Sequence, residues 1–233
     1  GGGGGGGGGG APRPPFVSAT SMTQLLWCAP GVFMSRVDDD VVILDVESDA
    51  YQCLIGGGAE VHFAPQGALR ITDPDLATEL QLAGLIKPDR PPRLPSSPIA
   101  ATRELPLPAR MSASEVLSTG FSWAIAAVRF QRKSLRQLLA FEQADGLQRY
   151  SEEKLSRLVG ATRISRTWVP GEGECLQRSF QLRHVLAARG VRADWVFGVR
   201  TWPFNAHCWL QIGDLVVGDR LARVRRYTPI MRS

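Results

Sequence analysis

The sequence lacks any apolar run of the roughly 18 residues that a membrane span needs, and it has only four cysteines and three histidines among 233 residues. A membrane is therefore not an expected partner. The cysteines form no CxxC pair and no dense framework, which disfavours a zinc finger or a disulfide scaffold and is typical of a reducing cytoplasm. No Walker A sequence is present, and the sequence predicts neither a bound cofactor nor a metal site.

Charge is distributed unevenly along the chain. The first ten residues are all glycine and cannot form a packed element, so the fold is expected within the other 223. Residues 31–90 carry 4 basic and 11 acidic side chains, whereas residues 91–233 carry 22 basic and 11 acidic ones. Net charges of opposite sign in the two segments favour two regions of the chain with separate roles. No motif that interleaves aromatic and basic residues accompanies the positive charge, so nucleic acid is not an expected partner.

The acidic part predicts a small α+β domain over residues 31–87. Its three short apolar runs are joined by acidic turns and predict an antiparallel meander: Val32–Met34, Val41–Val46 and Tyr51–Ile55. A helix is expected to follow, with Asp73 as its N-cap and Pro74 at its first position.

A proline-rich segment separates this unit from the rest of the chain. Residues 88–110 contain seven prolines, which predicts an extended, semi-rigid linker. The second domain is expected over residues 111–233. Ser112 and Glu115 form a capping-box pattern at the start of a long helix that the sequence extends to Leu139, and Ser151 caps a further helix.

A Pro/Gly-rich loop at residues 169–174 places Cys175 at the start of another predicted helix. Unpaired backbone N–H groups and the helix dipole favour a thiolate at such a position. The same N–H groups can receive an oxyanion during acyl transfer. The pattern is weak by itself, because a cysteine near a helix start more often serves packing.

The downstream strands supply the partners that such a nucleophile needs. His207 lies on one predicted strand, and Asp219 follows the next, so the two could act as base and orienting acid. A two-residue turn at 213–214 would pair Cys208 with Asp219, on the face opposite His207. An odd-length loop or a bulge is therefore expected to bring Asp219 to His207. The same alternation predicts a core position for Cys208 and places Trp209 on the face of His207.

Three stretches of the second domain resemble the lasso-peptide maturation protease, the B protein of lasso-peptide gene clusters. They are Gly198–Trp209 with the sequence GVRTWPFNAHCW, Val217–Asp219, and Glu174-Cys175-Leu176. The resemblance implies a transglutaminase-like (papain-related) cysteine protease fold. It assigns the nucleophile to Cys175, the base to His207 and the orienting acid to Asp219.

The resemblance also implies the role of the first domain. Single-chain members of this family carry a winged-helix-like RiPP recognition element that binds the leader of a precursor peptide. Addition of the leader as a strand to the meander edge would place Tyr51 and Cys53 against it, and Trp209 would line the cleft. The expected partners are the precursor leader and an asparagine-synthetase-like lasso cyclase. Family members are associated with an ATP requirement.

Two other interpretations stay open at this point. The same fold and triad could transfer an acyl group to an amine or deamidate a side chain, or the chain could be a non-enzymatic peptide-binding module. The C-terminal tail has five arginines between Arg220 and Arg232. They could form a solvated face, bind an acidic leader or contact the cyclase.

Overall fold

The structure, a computed structural model, describes residues 1–3, 25–92, 96, 98–108, 110–141, 151–168 and 174–233. Across these residues the chain forms an α+β fold with three β-sheets. Most of the loop predicted to precede Cys175 lies outside the described residues, at positions 169–173.

The predicted meander is confirmed as a three-stranded antiparallel sheet. Its strands, in spatial order, are β2 (Val32–Val37), β3 (Asp40–Asp45) and β4 (Ala50–Leu54). The two connecting turns contain Asp38 and Asp49, each with φ near 52°. Aspartate tolerates this left-handed conformation better than most residues, which explains why acidic turns join these strands.

A second sheet completes the N-terminal unit. Its spatial order is β5 (Val61–Phe63), β6 (Ala68–Ile71), β1 (Leu26–Cys28) and β7 (Ile86–Lys87). Because β1 lies inside this sheet, the prediction that the unit starts at residue 31 is wrong. Helix α1 (Pro74–Leu82) begins as predicted, and the Asp73 side chain accepts a hydrogen bond from the Asp75 N–H.

The meander is the middle layer of the molecule. Val41 and Ile43 of β3 join the core formed with the second sheet, whereas Val42 and Leu44 join the core of the C-terminal domain. This division follows from the alternation of side chains along a strand. The two predicted domains therefore share a hydrophobic core. The described residues of the N-terminal unit, 25–92, contain one α-helix, and the winged-helix-like arrangement stays a prediction.

The C-terminal domain packs helices on one five-stranded sheet. The sheet has the order β12 (Thr228–Arg232), β9 (Asp194–Arg200), β10 (Asn205–Ile212), β11 (Leu215–Val217) and β8 (Arg103–Glu104). The helices are α2 (Ala113–Phe130), α3 (Leu135–Leu139), α4 (Glu152–Ser165), α5 (Cys175–Ala187) and α6 (Leu221–Val224). Helix α2 packs against α4 and α5, and α5 packs against β10.

Two predictions about this half of the chain are wrong. Residues 103–106 belong to the domain rather than to a linker, since β8 pairs in parallel with β11 and the Pro106 carbonyl accepts a hydrogen bond from Ser156. The helix predicted to reach Leu139 ends at Phe130, because Ser134 caps a new helix with its own capping box. Among the described residues, no helix has the length and apolar character of a membrane span.

Candidate active site

Cys175 is the first residue of α5, as the sequence predicts. Glu174 precedes it as N-cap but makes no side-chain cap hydrogen bond. The backbone N–H groups of the first helical turn have no partner within the helix, and they point toward the start of the helix where the thiol lies. The helix dipole adds a positive potential at the same place, which stabilises a thiolate.

His207 lies on β10 and is 9% exposed. Its Nε2 atom is 2.5 Å from Asp219 Oδ2, and Cys175 lies close enough to influence the pKa of the same imidazole. The ring is held between two aromatic side chains, with centroid distances of 6.1 Å to Trp209 and 5.2 Å to Tyr227. These contacts fix the plane of the imidazole between Asp219 and Cys175.

Asp219 reaches His207 by a route that the sequence analysis did not foresee. The two-residue turn pairs Ile212 with Leu215, so the expected odd-length loop or bulge is wrong. Instead, β11 ends at Val217 and Gly218 adopts a φ of 80°, which turns the chain out of the strand pleat. This left-handed conformation favours glycine.

The Asp219 carboxylate has a hydrogen-bond partner at each of its two oxygens. Its Oδ1 atom accepts a hydrogen bond of 2.7 Å from the Arg220 backbone N–H and lies 3.7 Å from an Arg223 nitrogen. Burial opposes ionisation of Asp219. The hydrogen bonds from His207 and from the Arg220 N–H outweigh that effect and lower the pKa of Asp219 below its ordinary value.

The pKa values of Cys175 and His207 are shifted in the directions that favour an ion pair between them. Hydrogen bonds from Cys208 and His207 lower the pKa of the Cys175 thiol from 9.0 to about 4, although burial acts in the opposite direction. Burial also opposes protonation of His207, but its hydrogen bonds to Asp219 and Cys175 raise its pKa from 6.5 to about 9. Both shifts favour a thiolate beside an imidazolium, the arrangement that a thiol nucleophile and its proton donor require.

Cys208 is a member of the site that the sequence analysis missed. It is 4% exposed, as a core position predicts, and its Sγ lies 3.3 Å from Ser179 Oγ. Ser179 in turn accepts a 2.8 Å hydrogen bond from Trp195 Nε1. The hydrogen bond to Cys175, together with burial, raises the pKa of Cys208 well above 9.0. The opposite directions of the two pKa shifts favour a protonated Cys208 beside a Cys175 thiolate, a relation that strand alternation does not predict.

The three predicted catalytic residues line one cavity of about 540 Å³. Its wall includes three residues of the segment that was predicted to be a linker: Glu104, Leu105 and Leu107. Apolar surface comes from Trp123 and Leu182. Five arginines also line it: Arg163, Arg166, Arg178, Arg220 and Arg223. Within the described ranges, no group of three or more His, Cys, Asp or Glu side chains has an arrangement that could hold a metal ion.

The residues predicted to contact substrate lie in different environments. Tyr51 packs against Phe204 at 5.7 Å and joins the core cluster that contains Cys175, and burial raises the pKa of its hydroxyl. Cys53 is exposed on β4. Trp209 is 3% exposed and packs on His207, so little of its ring is available to a substrate. Substrate contact stays a prediction for all three.

Comparison with known proteins shows what this part of the chain is similar to. Residues 117–232 match the family described as the transglutaminase-like superfamily. Over 48 residues the chain is 40% identical to the microcin J25-processing protein McjB of Escherichia coli. That stretch is 21% of the chain and 23% of McjB. No solved structure matches. The two matches confirm the resemblance to the lasso-peptide maturation proteases.

Proposed function

We propose that the protein is a leader peptidase of lasso-peptide biosynthesis, which binds the leader of a precursor peptide and cleaves it at the leader–core junction. The observation that carries this proposal is that Cys175, His207 and Asp219 line one cavity of a transglutaminase-like domain, with His207 hydrogen-bonded to Asp219. The similarity to a microcin-processing protein supports a peptide as the substrate.

The first half of the reaction forms a thioester. The Cys175 thiolate attacks the carbonyl carbon of the scissile peptide bond, and the backbone N–H groups at the start of α5 receive the developing oxyanion. The His207 imidazolium then gives its proton to the departing amine. The C–N bond breaks, the free α-amine of the core peptide leaves, and the leader stays bound to Cys175 through its terminal carbonyl.

The second half hydrolyses the thioester. His207 is now neutral and takes a proton from a water molecule as the oxygen attacks the thioester carbonyl. The C–S bond breaks, the leader leaves as a carboxylic acid that gives its proton to water, and the thiolate–imidazolium pair is restored. Asp219 keeps the imidazole in place and stabilises its charged form in both halves.

The N-terminal unit is proposed to hold the leader as an added strand on β4. Both faces of the meander are covered, and β4 lies at the edge of its sheet, so backbone pairing at this edge is the available mode of peptide addition. Trp202, at the tip of the β9–β10 hairpin, donates a 2.7 Å hydrogen bond to Asp40 at the start of β3. This contact joins the recognition unit to the strand that carries His207.

The freed α-amine of the core peptide is a suitable nucleophile for ring closure. We therefore propose an asparagine-synthetase-like cyclase as the partner that consumes the product, and the cytoplasm as the compartment. An ATP requirement is proposed for the coupled system with the cyclase, and no ATP site is assigned in this chain.

The direct test is mass spectrometry of a leader-bearing precursor incubated with wild type, Cys175→Ala and the control variant Cys28→Ala, with and without ATP and the cyclase. Cys28 lies on β1, away from the cavity and from β4. We expect one cleavage at the leader–core junction that is lost only in Cys175→Ala. A product in which an amine has replaced ammonia without chain cleavage would identify an acyl transferase. Binding without any chemical change, in every condition, would identify a peptide-binding module.

A further inference from the structure

We propose that the catalytic cavity selects a peptide that carries a carboxylate side chain beside the scissile bond, and that Arg178 and Arg220 bind this side chain. The inference rests on the proposed peptidase function and adds the chemical class of its substrate.

The cavity wall has an excess of positive charge. Among the lining residues that the structure describes, five are arginines and two are carboxylates, Glu104 and Asp219, and both carboxylates already have partners. Glu104 accepts a 2.8 Å hydrogen bond from the Leu221 N–H, and Asp219 binds His207. The thiolate and imidazolium of the catalytic pair cancel each other. A neutral peptide would therefore leave the positive wall uncompensated.

Arg178 and Arg220 are the arginines best placed for this role. Arg178 lies three residues after Cys175 on α5, which puts the two side chains on adjacent positions of one helix face. Arg220 directly follows Asp219, and its backbone N–H already binds that carboxylate. Within the described ranges, neither guanidinium forms an ion pair. Arg223, by contrast, is paired with Asp219 at 3.7 Å.

The guanidinium group favours a carboxylate over its amide isostere. Its planar set of N–H donors matches the two oxygens of a carboxylate and can form two parallel charge-assisted hydrogen bonds. A glutamine in the same place would displace water from the arginines without supplying a charge, so Glu and Gln are discriminated. Two of the five tail arginines, Arg220 and Arg223, thus line the cavity while they stay exposed to solvent.

The first test compares iodoacetate with iodoacetamide, two thiol reagents of similar size that differ in charge. Alkylation of Cys175 is followed by peptide-mapping mass spectrometry on the full chain at pH 7.5 and low salt. The ratio of the two rates reports the field at the thiol, because a change in the thiolate population affects both rates equally. The test variant is Arg178→Gln/Arg220→Gln. The control variant, Arg225→Gln/Arg226→Gln, removes the same charge from tail positions that do not line the cavity.

We expect the iodoacetate-to-iodoacetamide ratio to fall about two- to fivefold for each arginine removed in the test variant and to stay at the wild-type value in the control. Equal ratios in the two variants would overturn the inference.

The second test asks whether peptides show the same preference. Two synthetic peptides that differ only in Glu against Gln beside the central peptide bond are used to protect Cys175 from iodoacetamide. The Glu peptide should protect wild type at the lower concentration, and this difference should vanish in Arg178→Gln/Arg220→Gln. Equal protection by both peptides would overturn the inference, as would protection by inorganic phosphate at a lower concentration than the Glu peptide.

These tests do not depend on turnover. If the charge preference is found and no precursor is cleaved, the substrate inference stands and the peptidase proposal fails. If a precursor is cleaved and the preference is absent, the reverse holds.

Discussion

Replacing Asp219 with asparagine tests the electrostatic basis of the proposed nucleophile. Asparagine has nearly the same size and keeps a carbonyl oxygen near His207, but it removes the negative charge. Hydrogen bonding and charge from Asp219 are major reasons why the pKa of His207 lies at about 9. Without them, we expect the imidazole to return toward its ordinary pKa of 6.5.

The size of the effect follows from these two pKa values. At pH 7.5 an imidazole with a pKa of about 9 is almost entirely protonated, whereas one with a pKa of 6.5 is protonated in about one molecule in ten. A neutral imidazole no longer stabilises the Cys175 thiolate by charge. The rate of Cys175 alkylation by iodoacetamide at pH 7.5 should therefore fall about tenfold.

The pH dependence of the Cys175 alkylation rate distinguishes wild type from Asp219→Asn. In wild type the thiolate forms above a pH of about 4 and is paired with imidazolium up to about 9, so the alkylation rate should be nearly constant between those values. In Asp219→Asn the contribution of Cys208 remains and that of the imidazolium is lost, so the pKa of Cys175 should lie between about 4 and 9.0 and the rate should climb with pH across that range. Thermal unfolding confirms that the variant is folded. A constant profile in a folded Asp219→Asn variant would refute the reasoning.

Three further changes have defined outcomes. Cys208→Ala removes a hydrogen-bond donor from the Cys175 thiolate, so iodoacetamide alkylation should slow at pH 5 and stay unchanged at pH 8; equal slowing at both values would contradict this role. Gly218→Ala forces a Cβ into a backbone with a φ of 80° and should cost about 1–3 kcal/mol in the free energy of unfolding, measured by denaturant titration; an unchanged midpoint would show that the turn is not strained. Cutting the chain within residues 93–97 should leave both fragments bound in gel filtration because they share a core, and separate elution of the fragments would show that the shared core is too weak to join them.

The elements that the sequence predicted well are those with local signals. Asp73 and Ser112 cap their helices through hydrogen bonds to backbone groups two and three residues away, and those partners are visible in the sequence. The meander follows from β-branched runs separated by acidic turns. Cys175 likewise begins a helix whose pattern is contained in its own residues.

The parts that the sequence did not predict depend on distant contacts. Strand β1 has no strong pattern of its own and is defined by pairing with β6 and β7, about 40 to 60 residues away. The parallel pairing of Arg103–Glu104 with β11 spans more than 100 residues. In the site, the contact between Cys208 and Cys175 depends on how α5 packs across β10, which strand alternation does not determine.

If β4 binds the leader as proposed, the burial of the meander on both faces limits how this specificity can be exchanged between related proteins. A chimera that replaced residues 25–92 as a unit would bring a foreign set of side chains into the core cluster that also contains Val185, Trp195 and Phe197. Substitutions confined to β4 avoid most of this conflict, since that strand is at the sheet edge. The proposed preference for a leader should therefore be changed by substitutions in β4. The residues of β3 that pack into the two cores should be kept unchanged.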